Sequence, residues 1–255
     1  MNFTVGYDTD AGLRKKINQD ALLIKTAKSP YGRLGLFIVC DGMGGLSSGE
    51  LASATVINEM SRWFDEIISH IDFNTVDESD LYKFTCEQIM DLNNKIFEYG
   101  TRKDEKLGTT LTLCLFVNDK YYILQVGDSR VYKIANTVEQ LTKDQTFVQR
   151  EVDRGNITIE EAENHPRKNV LLQCVGARKE VEPVMVTGKL TGNEVFLICS
   201  DGFYRKLSNN EILNELRWNN LNNSEQIKGK VRQFIDLVKS REERDNITGV
   251  IIKVS

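Results

Sequence analysis

Five aspartates of this 255-residue chain stand where an apolar run begins or ends. Asp41 follows "FIVC" and is succeeded by glycine at four of the next eight positions, in "DGMGGLSSG". Asp201 repeats the arrangement after "EVFLICS", again with glycine next, and Asp128 lies in "VGDSR" between two apolar runs. Asp20 and Asp245 stand before "ALLI" and "NITGVIIKV". One Asp-Gly after a strand is ordinary turn chemistry. Five acids at strand ends carry more, because strand ends in a compact sheet protein can converge on one edge. With only His70 and His165 in the chain, such a cluster invites a hard divalent cation, since Mn²⁺ and Mg²⁺ prefer oxygen ligands. Without metal, the mutual repulsion of the carboxylates would be costly. Two ions roughly 3.5–4 Å apart, bridged by one carboxylate, can hold a water, lower its pKa and clamp a phosphoryl group for in-line attack. Asp41 is the natural bridge, and the glycines after it let a backbone carbonyl come close enough to serve as a ligand.

The elements that must position these residues are mostly strands. "FTVGYD", "ALLIKT", "RLGLFIVC", "TTLTLCLFV", "YYILQV", "RVYKIA", "VEPVMV", "EVFLICS" and "NITGVIIKV" are β-rich runs. Helical spacing appears in residues 49–69 (Leu51, Val56, Met60, Phe64, Ile67) and in residues 79–100 (Leu81, Phe84, Ile89, Leu92, Ile96). A third such segment is 224–241, with Ile227, Val231, Phe234 and Val238. Thr158 with Glu161 and Ser208 with Glu211 are capping boxes that start helices. Strands mostly follow strands through short turns, and "TTLTLCLFVNDKYYILQVGDSRVYKI" reads as an antiparallel meander with "VGDSR" as a hairpin turn. The class is therefore α+β with antiparallel sheets. Residues 1–255 form one domain on this reading, with a polar, partly helical insertion at about 143–182 packed beside the core.

Composition excludes several functions. The net charge of −4 and the short basic clusters "RKK" (14–16) and "KGKVR" (228–232) give no nucleic-acid footprint. No apolar run is long enough to span a membrane, and "MNFTVGYDTDAG" lacks the pattern of a signal peptide, so a cytoplasmic location is expected. Cys40, Cys86, Cys114, Cys174 and Cys199 are odd in number and set in mostly apolar surroundings, which predicts reduced thiols. A dinucleotide fingerprint fails at Ser47, where the third glycine belongs, and an EF-hand at 8–19 fails at Gln19. His165 before Pro166 reads as a helix end, and His70 as a surface residue ending the first helix.

Eight motifs in order, "NQDA", "DGMGG", "LGTTLTL", "VGDSRVY", "LTKDQTFV", "HPRKNVLLQCVG", "CSDGFYRKLS" and "RDNITGVIIKV", span about residues 3 to 254. In order and approximate spacing they resemble the PPM family, the metal-dependent type 2C protein serine/threonine phosphatases, in its compact bacterial form. The resemblance implies a four-layer αββα sandwich of two antiparallel β-sheets flanked by helices. It implies two core Mn²⁺ or Mg²⁺ ions bridged by Asp41, with the Gly42 carbonyl on one and Asp201 and Asp245 completing the other. Asp20 would hold metal-bound waters, and Asp128 with Asp201 would form a third, weaker site. Substrates would be proteins phosphorylated by a serine/threonine kinase, with segment 143–182 as the flap beside the active site, and a monomer is expected. The chain departs from the pattern in four places. Lys15 stands where the phosphate-binding arginine is usual, with Arg14 one residue earlier, which leaves two candidates, Lys15 and Arg14, for that charge. Gln19 replaces a common glutamate, Met43 stands at the position of a histidine general acid, and "DQT" (144–146) replaces a more usual Asp-His-Ser and is given a structural role. Two other functions fit the same sheet: a phosphoprotein-binding relative without turnover, against which intact Asp41, Asp201 and Asp245 argue, and a hydrolase of another phosphate ester.

Overall fold

A computed structural model describes residues 2–29, 32–44, 48–70, 72 and 75–255. In chain order the described strands and helices are β1 (Phe3–Asp10), β2 (Asp20–Ser29), β3 (Gly32–Gly44), α1 (Gly49–His70), α2 (Glu78–Lys103), β4 (Leu107–Thr109), β5 (Leu111–Val117), β6 (Lys120–Val126), β7 (Arg130–Ile134), β8 (Val138–Gln140), α3 (Phe147–Asp153), α4 (Ile159–Asn164), β9 (Val184–Lys189), β10 (Val195–Cys199), α5 (Asp201–Tyr204), α6 (Asn209–Glu215), α7 (Ser224–Ser240) and β11 (Ile247–Val254). One sheet has the order β1-β11-β10-β7-β8, the other β2-β3-β5-β6-β9 with β4 paired to β3. All of these pairings are antiparallel.

The strands read as near-continuous apolar runs because both faces of the central ones are buried. On β3, Leu34, Leu36, Ile38 and Cys40 pack with Val56, Met60 and Phe64 of α1, while Phe37 and Val39 face the other sheet. On β10, Val195, Leu197 and Cys199 pack with Ile227, Val231 and Phe234 of α7, while Phe196 and Ile198 point between the sheets. Successive side chains alternate faces, so three apolar layers separate four layers of secondary structure, the αββα sandwich expected. Its middle layer centres on Phe116, whose ring centroid lies 5.3 Å from Phe3, 5.5 Å from Phe37 and 5.0 Å from Phe196.

Both predicted capping boxes are formed, at Thr158 and at Ser208, and His165 caps the C-terminus of α4. The side chain of His70 lies outside the described residues. The five cysteines are free thiols, four of them buried. Four expectations need correction. "VGDSR" is not a hairpin: β6 pairs with β9, whereas β7 pairs with β10 in the opposite sheet, so Gly127–Ser129 carries the chain across the sandwich. Its backbone groups are held from elsewhere, the Gly127 N–H by Gln145 Oε1 at 2.7 Å and the Ser129 carbonyl by Thr112 Oγ1 at 2.9 Å. The strand in "VEPVMV" begins only at Val184, because Pro183 has no N–H for the ladder. Leu51 and Phe84 are exposed instead of lying on the apolar stripes of their helices. On α2 the buried face runs Leu81, Thr85, Ile89, Leu92, Ile96, which keeps helical phase and leaves Phe84 on the flank.

Segment 143–182 contains α3 and α4; the isolated bridge Thr109↔Val175 ties it to β4, and a second, Thr146↔Leu171, closes the segment on itself. The Gly176 N–H donates to Asn93 Oδ1 of α2 at 2.8 Å. Among the described residues no helix is long and apolar enough to cross a membrane.

Candidate active site

Strand phase aims the first two carboxylates. Leu22 and Ile24 of β2 face the inter-sheet layer, as do Phe37 and Val39 of β3, so Asp20 and Asp41, in step with them, face the gap between the sheets at its open end. They are also direct register partners. The Asp41 backbone is fixed on both sides: its N–H donates to Thr110 Oγ1 at 2.8 Å, and its carbonyl accepts from the Thr110 N–H at 2.9 Å and Thr109 Oγ1 at 3.0 Å. Thr110 Oγ1 in turn meets Ser129 Oγ at 2.8 Å, which links this strand end to the neighbour of Asp128. Gly42 follows because nothing larger fits: a Cβ there would lie 2.4 Å from the Gly49 carbonyl oxygen and 2.5 Å from that of Gln19.

The other sheet supplies the remaining acids. Asp201 opens α5 directly after β10, and Asp245 precedes β11. Ser200, the next inter-sheet position after Ile198, donates to Asp20 Oδ2 at 2.8 Å and accepts from the Thr248 N–H at 3.0 Å, joining the two sheets at the site. Asn246 pins the loop before β2: its Nδ2 donates to the carbonyls of Ala11 and Ile17, and its Oδ1 accepts from the Gln19 N–H at 3.0 Å. In that loop Gly12 has φ +75° and packs so tightly on the Asp245 carbonyl that a Cβ would fall 1.9 Å from its oxygen.

The five predicted aspartates thus share one electrostatic site. Burial, then the charges of Asp20, Asp201, Asp128 and Asp245, push the Asp41 carboxyl well above the usual carboxylate range. Burial foremost, with Asp201 and Asp245 adding to it against hydrogen bonds from Thr248 and Ser200, pushes Asp20 up to about 7. Burial and Asp201 push Asp128 up to about 8 against the opposing charge of Arg205. Asp201 is also raised, by burial first and by the charge of Asp245, against the opposing charge of Arg205.

Two cations sit among these acids. Lys15 Nζ is 3.0 Å from Asp245 Oδ1; burial opposes its charge, but Asp245, Asp41 and Asp201 outweigh that and raise its pKa. Arg14 is exposed and has no ion-pair partner among the described residues. Arg205 Nη2 is 2.6 Å from Asp201 Oδ2 and 3.7 Å from Asp128 Oδ2. With Asp201 turned onto Arg205 and Asp245 onto Lys15, no three acidic, histidine or cysteine side chains among the described residues enclose an ion-sized point as they stand. The donor set nevertheless fits hard cations for the core sites: it is all oxygen, crowded with like charge, and no donor reaches the buried Asp20 Oδ1 or Asp201 Oδ1.

Sequence reasoning passed over Ser200, Asn246, Arg205 and the Thr109–Thr110 pair as positioning groups. Only Arg205 carried a local signal, its i,i+4 spacing from Asp201. Asp144 of "DQT" has the structural role expected: its two oxygens take the guanidinium of Arg130 at 2.8 and 2.7 Å. Arg130 also lies 3.7 Å above the Tyr204 ring, and the Tyr204 hydroxyl donates to the Asp128 carbonyl at 3.2 Å. Met43 pairs with Gly108 across β3 and β4.

A sequence model of the family described as protein phosphatase 2C matches residues 13–246. The serine/threonine protein phosphatase PstP of Mycobacterium tuberculosis is 29% identical over 252 residues, which cover 96% of this chain and 44% of that relative, so the chain spans less than half its length. Among solved structures, the serine/threonine phosphatase of S. agalactiae superposes with a TM-score of 0.86 at 30% identity, over 100% of both chains. The catalytic domain of PstP in complex with two manganese ions superposes with a TM-score of 0.77 at 29% identity, over 99% of both chains.

Proposed function

Because this chain belongs to the protein phosphatase 2C family, we propose that it hydrolyses phosphoserine and phosphothreonine in proteins by direct attack of water on phosphorus, without a phosphoenzyme intermediate. Members of the family are metal-dependent phosphoprotein phosphatases. The observation that carries the reading is the convergence of Asp20, Asp41, Asp128, Asp201 and Asp245 from both sheets on one edge, with two buried carboxylate oxygens that no donor reaches. Asp41, the Gly42 carbonyl, Asp201 and Asp245 would hold two Mn²⁺ or Mg²⁺ ions. Those ions, when bound, supply the Lewis acidity that lowers the pKa of a water and draws charge from the phosphoryl group.

The chain's own groups do the rest. Ser200 holds Asp20 by Oδ2, which leaves Oδ1 to accept a hydrogen bond from the attacking water and orient it. Lys15 is the phosphate-contacting cation in this reading, since it stands in the field of Asp245, Asp41 and Asp201 while its side chain keeps 44% exposure for a ligand. It meets the phosphate as a point charge, without the fork an arginine offers. Arg14 has no such placement and is assigned no contact. With Met43 at the position expected for a histidine acid, the leaving serine or threonine oxygen takes its proton from water.

Segment 143–182 serves as the flap that meets the substrate protein, within a single domain of residues 1–255. The phosphoproteins are products of a serine/threonine kinase, and the enzyme acts as a cytoplasmic monomer. The test is hydrolysis of p-nitrophenyl phosphate and a phosphothreonine peptide, after chelation and after Mn²⁺ is restored, for wild type beside Asp201→Asn. Metal-dependent turnover lost in the variant is the expected result. A folded wild type that binds Mn²⁺ and turns over neither substrate would leave a phosphoprotein-binding protein instead.

A further inference from the structure

A weaker ion between Asp128 and Asp201 was the expectation for a third metal site, and a guanidinium stands there. Arg205 ends the turn that Asp201 begins, its N–H donating to the Asp201 carbonyl at 3.1 Å, so its side chain folds back over the aspartate one turn earlier. Nη2 reaches Oδ2 of both acids, at 2.6 Å for Asp201 and 3.7 Å for Asp128. All three side chains are largely buried, at 24% exposure for Arg205, 11% for Asp201 and 5% for Asp128. The other arginine near Asp128, Arg130, is committed to Asp144 through both carboxylate oxygens.

A third ion would need the same two oxygens that face the guanidinium, at distances of about 2.0–2.2 Å that crowd out Nη2, and would meet a charge of its own sign. A guanidinium keeps its proton at any working pH, so unlike a weakly held ion it cannot be diluted away. The two oxygens of Asp201 are thereby divided: Oδ2 goes to Arg205, and Oδ1, which no donor reaches, is left for the core site.

We infer that Arg205 is the resident third cation of this site, so that the chain takes two divalent ions and excludes a third. The inference rests on the metal-dependent reading above only for the two core ions. It assigns Arg205 a positioning role, since it acts by holding Asp201 and Asp128 and touches no substrate.

The test is the stoichiometry of Mn²⁺ uptake by the full chain, read by equilibrium dialysis and by the paramagnetic resonance of free Mn²⁺. Wild type, Arg205→Gln, Arg205→Lys, Asp128→Asn and the Arg205→Gln/Asp128→Asn double variant are compared. Wild type and Asp128→Asn should saturate at the same two ions. Arg205→Gln should take one more, the double variant should lose it again, and Arg205→Lys, which keeps the charge, should stay at two. A wild type that itself takes a third ion, lost in Asp128→Asn, would overturn the inference, and so would a folded Arg205→Gln protein with no added ion. If Arg205→Gln does not fold, the comparison of wild type with Asp128→Asn decides alone. A wild type that takes up no Mn²⁺ sinks the phosphatase reading itself, whereas a three-ion wild type sinks only the role of Arg205.

Discussion

Chelating divalent ions leaves the acid cluster to be balanced by the protein alone, and its stability should then fall as pH rises. Asp20 moves from an ordinary 3.8 to about 7 and Asp128 from 3.8 to about 8, with burial the main cause in both. A carboxyl whose folded pKa lies above its unfolded one binds more protons folded than unfolded between the two values. Its contribution is therefore fully present below about pH 4 and is lost as pH rises through 7 to 8. For Asp20 the interval corresponds to ~4 kcal/mol at 1.36 kcal/mol per pH unit. The Asp128 interval is of similar size, but the charge of Asp201 raises both, so the two titrate as one coupled system and ~4 kcal/mol is taken for the pair. Only about 2 of those pH units for Asp20 lie above pH 5, leaving ~3 kcal/mol, and at 2–4 °C per kcal/mol for a chain of this size the melting temperature should fall by roughly 10 °C between pH 5 and pH 9. The depressed carboxyls slope the other way, but Glu211, held at about 2 by Arg241 and Ser208, has already titrated by pH 5. The assay is thermal unfolding in EDTA across this range, repeated with Mn²⁺. Added Mn²⁺ favours ionised ligands, so its stabilising effect should grow with pH over the same interval. A melting temperature in EDTA that is flat or rises from pH 5 to 9 would refute the claim that these carboxylates are buried against one another.

Lys15→Ala should lower kcat/KM by ten- to a hundredfold, the 1.5–3 kcal/mol of a charge-assisted hydrogen bond to phosphate, while Arg14→Ala stays within about twofold. Steady-state kinetics on a phosphothreonine peptide checks both, and equal losses would reassign the contact. Ser200→Ala strips Asp20 Oδ2 and the buried Thr248 N–H of a partner and should cost roughly 1–3 kcal/mol in urea unfolding. An unchanged midpoint would mean that water replaces the hydroxyl. Phe116→Ala empties the centre of the inter-sheet layer, where three other rings contact it. It should cost about 3–5 kcal/mol without altering the Mn²⁺ stoichiometry of whatever remains folded.

What was legible in the sequence and what was not divides along the range of the interactions involved. The strands of the two sheets could be read because β3, β5, β10 and β11 are buried on both faces, which writes long apolar runs into the chain. Helix starts at Thr158 and Ser208 could be read because a capping box is complete within four residues. The turn at Gly127–Ser129 could not, since its local chemistry suits a hairpin equally well. The crossing is selected by Gln145, Thr110 and Thr112, which are distant in sequence or belong to another strand. The site divides the same way. Its aspartates announce themselves one at a time, each at the end of an apolar run. The groups that compensate them are defined only by the fold: Lys15 matters because the Gly12 turn lays its loop on Asp245, and Arg205 because Asp128 arrives beside α5 from another strand. A charge cluster read from sequence is therefore systematically too acidic. The ions it needs can be counted only after the protein's own cations have been placed, and here that placement puts the guanidinium of Arg205 between Asp128 and Asp201, where a third divalent ion was expected.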